Sequence, residues 1–148
     1  MTFLTEGLRR VLVSALQRLS GQGGDPVIGL QTAFGGGKTH TMLAVYHLAR
    51  HLREGGDPAA LRGLAPLVTA MGSVTWPKPN YAVFVGSSKG ADTSLTLKGG
   101  PPVRTLWGYI AWRLAGEAGL RLVAEAEAAR TIPARSCWSS CSASPVPA

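Results

Sequence analysis

Leu8, Val11, Leu12, Ala15, Leu16 and Leu19 recur at the spacing of one helical face, which predicts an amphipathic helix over residues 6–19. Thr5 followed by Glu6 supplies a cap and a first-turn acid, and Gly21, Gly23 and Gly24 end the pattern. The apolar run over residues 26–31 then reads as a short buried strand. Residues 38–53 return to helical periodicity, closed by Gly55, Gly56 and Asp57. Asp57-Pro58 predicts a short third helix through about Leu64. Residues 66–80 are expected to be irregular, because Pro77 and Pro79 flank Lys78 and remove backbone donors. Residues 81–85, Tyr-Ala-Val-Phe-Val, form the second predicted strand, and residues 86–102 are loop-rich. A helix over residues 103–115 would bury Leu106, Trp107, Ile110 and Leu114. A further helix over 118–130 follows a break near residues 116–119. Strands alternating with helices predict an α/β fold with a parallel sheet, although two strands are few for one.

The chain of 148 residues has room for one domain with a core. At 45% hydrophobic and 16% charged it is of ordinary globular composition. No apolar run approaches the roughly 18 residues a membrane-spanning helix needs, so no membrane partner is expected. Residues 1–19 carry Arg9, Arg10 and Arg18 but are interrupted by Glu6 and show no secretory cleavage pattern. A cytoplasmic location is the expectation. The formal net charge of +7 favours acidic partners, nucleic acid among them. The cations are scattered from Arg9 to Arg135, however, which is the arrangement of a solvated surface.

The informative segment is Thr32-Ala33-Phe34-Gly35-Gly36-Gly37-Lys38-Thr39, between the first strand and the second helix. It follows the P-loop pattern of a glycine, four residues and Gly-Lys-Ser/Thr, with Thr32 standing where the first glycine is usual. Gly35, Gly36 and Gly37 let the backbone turn its N–H groups toward phosphate oxygens, and the helix adds its positive end. Lys38 would reach the outer phosphates of ATP, and the Thr39 hydroxyl would coordinate Mg²⁺. His40 follows next and is placed to touch the loop.

The wording Phe34-Gly35-Gly36-Gly37-Lys38-Thr39-His40 goes beyond that generic motif. Together with residues 5–10, 21–26, 42–48 and 103–108, it resembles the start of a family of large bacterial and archaeal ATPases, catalogued as domain of unknown function 499. The likeness covers residues 2–132. It implies an AAA+-like P-loop ATPase in which Gly35, Gly36, Gly37, Lys38 and Thr39 bind ATP. It also implies partners in DNA modification or phage defence, since such proteins occur beside DNA methyltransferase or helicase genes. No substrate follows from it.

Hydrolysis needs a second strand ending in an acid that orients Mg²⁺. Residues 81–85 run instead into Gly86-Ser87-Ser88, and Asp92 reads as a turn residue. Ser87, Ser88 and Lys89 follow a strand and so take a position near a nucleotide in an open sheet. Glu117, Glu125 and Glu127 read as solvent-facing helical positions. The resemblance implies that the acidic strand lies further downstream. Accordingly, residues 1–133 read as the N-terminal part of a P-loop ATPase domain, incomplete at its C-terminus.

Residues 134–148 show neither helical nor strand periodicity and hold both cysteines, Cys137 and Cys141. Synonymous codons for residues 135–144 allow an overlapping frame that spells an amphipathic helix, Glu-Leu-Leu-Val-Glu-Leu-Phe-Gly-Glu. A disordered, out-of-frame tail is therefore the expectation, and the coding DNA decides it. Two thiols fall short of the four ligands of a structural zinc site. His40, His47 and His51 stripe one helix face, where Arg50 and Arg53 would repel a cation. Trp107 and Ile110 share a core-like face, with Trp112 nearby as an alternative stacking surface.

The reading that follows is an ATP-binding fragment of a P-loop ATPase that does not hydrolyse its ligand. Two alternatives stay open. One is a complete small P-loop kinase or GTPase using Asp92 as an unconventional acid. The other is a non-catalytic basic module that binds nucleic acid.

Overall fold

A computed structural model of the chain describes residues 4–31, 33, 35–86, 97 and 100–143. They divide into two units, Met1–Pro79 and Asn80–Ala148.

In the first unit, helix α1 spans Glu6–Ser20, as its apolar spacing predicts. The Thr5 hydroxyl accepts the Leu8 amide at 3.3 Å, which satisfies one of the donors that the first helical turn leaves unpaired. At the other end the Gly21 amide donates to the Arg18 carbonyl and closes the helix. Leu8, Leu12 and Leu16 form its buried stripe. Helix α2, Lys38–Arg53, has the predicted bounds and buries Leu48 and Leu52 against that stripe, together with Leu64. Each such leucine contributes about 1.5–3 kcal/mol when removed from water. Ala44 and Val45 pack against the same cluster, whereas Met42 and Leu43 nearer the start of α2 are exposed.

The region after α2 differs from expectation. Asp57 caps a single 3₁₀ turn, Pro58–Ala60, by accepting the Ala59 amide at 2.9 Å. Leu61 is extended and stops it, so no helix runs through to Leu64. Helix α3, Ala65–Ala70, forms instead within the stretch expected to be irregular. Pro66 stands in its first turn, where a missing N–H costs no hydrogen bond. Residues 74–80, with Pro77 and Pro79, stay non-helical.

In the second unit, helix α4 spans Leu106–Leu122 with a kink at Ala115 and Gly116, at the near edge of the predicted break. Thr105 caps it by accepting the Gly108 amide at 3.0 Å. The buried face is not the predicted one. Gly108, Ala111, Ala115 and Gly119 are buried, whereas Leu106, Trp107, Ile110 and Leu114 are half-buried. The reason is that α4 is covered from more than one side. Leu97 and Val103 pack with its Tyr109, Trp112 and Leu120, while Ala111 and Val123 pack with Cys137 and Trp138. Small residues allow the closest of these approaches, and the large side chains spread over the margins.

Helix α5 is Ala124–Ala129, and helix α6 is Arg135–Ala143. Thus the segment expected to be disordered is helical over residues 135–143, and Cys137 is packed rather than loose. Trp138 meets Trp107 edge to face, with centroids 5.8 Å apart. That contact gives the segment a tertiary anchor its own sequence does not advertise. Glu127 is a second correction, since it does not simply face solvent. Its carboxylate accepts hydrogen bonds from the Arg104 amide and the Thr105 hydroxyl at the start of α4. A carboxylate there lies at the positive end of the helix.

The expected parallel sheet is overturned. Among the described residues no β-strand forms, and the architecture is helical. Residues 26–31 are irregular, with Val27 84% and Ile28 39% exposed. Residues 81–85 are not a strand either; the Tyr109 hydroxyl donates to the Val83 carbonyl at 2.7 Å, and Phe84 meets the Tyr109 ring. A strand requires a neighbouring backbone to take its N–H and C=O groups. Apolar composition supplies propensity without that partner. The two segments belong to different units.

Candidate functional site

Residues 33–41 build the site from the end of α2 outward. The Gly36 amide donates to the Ala33 carbonyl at 3.1 Å, closing a four-residue turn with Gly35 in its third position. Gly35 has φ 80°, in the left-handed region that glycine adopts without strain. Gly37 then has φ 77° and directs the chain into the first turn of α2. Left-handed and right-handed residues in succession turn neighbouring amides toward one side, which makes an anion-binding concavity.

The start of α2 differs chemically from that of α1. Thr5 gives α1 a side-chain cap, but Gly37 at the cap position of α2 has no side chain to offer. The first regular helical bond runs from the Thr41 amide to the Gly37 carbonyl at 2.9 Å, and the Thr41 hydroxyl donates to that same carbonyl at 3.1 Å. Amides preceding Thr41 in the helix lie at its positive end, where negative charge is favoured.

The Lys38 side chain folds back over the turn, its Nζ donating to the Ala33 carbonyl at 3.2 Å. The ammonium is thereby held at the mouth of the glycine turn. Thr39 and His40 are exposed on the first turn of α2. The structure therefore gathers Gly35, Gly36, Gly37, Lys38, Thr39 and His40 into one exposed turn and helix start. Thr32, Phe34, Ser87, Ser88, Lys89 and Asp92 lie outside the described residues, so the expected strand exit and the alternative acid have no description here. The contact that sequence reading missed is the one from Lys38 to Ala33. Its acceptor is a main-chain carbonyl, which no residue-type motif can display.

The donor set fits a phosphate chain: backbone amides at a helix start, one ammonium and one hydroxyl beside it. Magnesium would draw on the Thr39 hydroxyl, with phosphate oxygens and water completing its shell.

Of the histidine stripe of α2, His47 and His51 are engaged away from the glycine turn. His51 Nε2 lies 2.9 Å from the Asp57 carbonyl, and a carbonyl can only accept, so the ring nitrogen donates. His47 packs edge to face with Tyr46 at 5.2 Å, and Arg50 pairs with Glu54 at 2.9 Å. Among the described residues no group of three His, Cys, Asp or Glu side chains is placed to hold a metal ion. Nor is any helix among them long and apolar enough to cross a membrane.

No curated protein and no solved structure matches the chain. The family model of the DUF499 N-terminal domain matches residues 1–140. With all but the last few residues matched, the chain belongs to the DUF499 N-terminal domain family.

Proposed function

We propose that the turn at Gly35–Gly37 and the first turn of α2 bind the triphosphate of ATP with Mg²⁺. The observation that carries this reading is the combination at one helix start. Two glycines are left-handed, the cap position has no side chain, and an ammonium is held at the mouth by Ala33. In this reading the backbone amides and Lys38 take the phosphate oxygens, and Thr39 takes the metal. His40 lies beside them.

The proposed role is binding without turnover. Its support is the sequence after residue 85, which continues as Gly86-Ser87-Ser88 instead of supplying an acid to order Mg²⁺ and water. The setting we propose is cytoplasmic, in DNA modification or phage defence, with DNA or DNA-modifying enzymes as partners. That setting rests on the family resemblance of the loop wording, and the parallel sheet is not part of it.

Calorimetric titration of the chain with ATP and Mg²⁺ tests the site. Charge-assisted hydrogen bonds contribute about 1.5–3 kcal/mol, so Lys38→Ala is expected to weaken binding roughly ten- to a hundredfold. Equal affinity in the variant, or no binding by the native chain, would overturn the proposal.

A further inference from the structure

We draw no further inference here: the strongest candidate, the exposed apolar surface of Met42 and Leu43 on the second turn of α2 beside the glycine turn, carries nothing because nothing in the structure shows what covers it.

Discussion

Replacing Gly37 by alanine tests the geometry of the proposed site with one added carbon. A Cβ built at Gly37 meets nothing within 4 Å, so the substitution brings no clash and its whole effect is conformational. At φ 77° an alanine is strained by about 1–2 kcal/mol. The chain can respond in two ways. If the turn keeps its shape, the folded state carries the strain and stability falls by about 1–2 kcal/mol. If residue 37 leaves the left-handed region, stability falls less. Phosphate must then rebuild the turn on binding, so ATP affinity falls by up to roughly five- to thirtyfold. The two losses together should come to about 1–2 kcal/mol.

Gly7→Ala is the control. Gly7 is also open, with nothing within 4 Å of a built Cβ, but it stands in the first turn of α1. There alanine should stabilise by about 0.5 kcal/mol and leave ATP affinity alone. Urea unfolding followed by circular dichroism reads stability, and calorimetry reads affinity. The reasoning is refuted if Gly37→Ala matches the native chain in both measurements, or if Gly7→Ala loses affinity to the same extent.

Leu16 is 0% exposed at the centre of the first unit's core, so Leu16→Ala should cost about 2–5 kcal/mol in the same unfolding experiment. Glu127→Ala removes an acceptor from both Arg104 and Thr105 and should destabilise the second unit by about 2 kcal/mol. Glu125→Ala, at an exposed position of the same helix, should stay within about 0.5 kcal/mol of native. Arg130 ends α5 in the left-handed region at φ 55°, so Arg130→Gly should raise stability by about 0.5–1 kcal/mol, read as a higher unfolding midpoint.

What residue order alone made legible here is local. Thr5, the leucine stripe and Gly21 delimit α1 without reference to anything distant. The glycines before Lys38 and after Arg53 likewise delimit α2. Caps, helical spacing and glycine turns act over a few residues, so they can be read directly. For the same reason the candidate site was found: its residues are consecutive.

Long-range pairing was not legible. The apolar runs at 26–31 and 81–85 resemble strands in composition, yet neither is a strand in the structure. On α4 the larger residues attract attention, but neighbouring packing buries Gly108, Ala111, Ala115 and Gly119. Glu127 reaches residues more than twenty positions earlier, and Trp138 gives residues 135–143 a packing contact through Trp107. Each of these outcomes depends on which surface arrives opposite a segment once the chain has folded. That surface is drawn from distant parts of the chain, and neighbouring residue types do not encode its arrival.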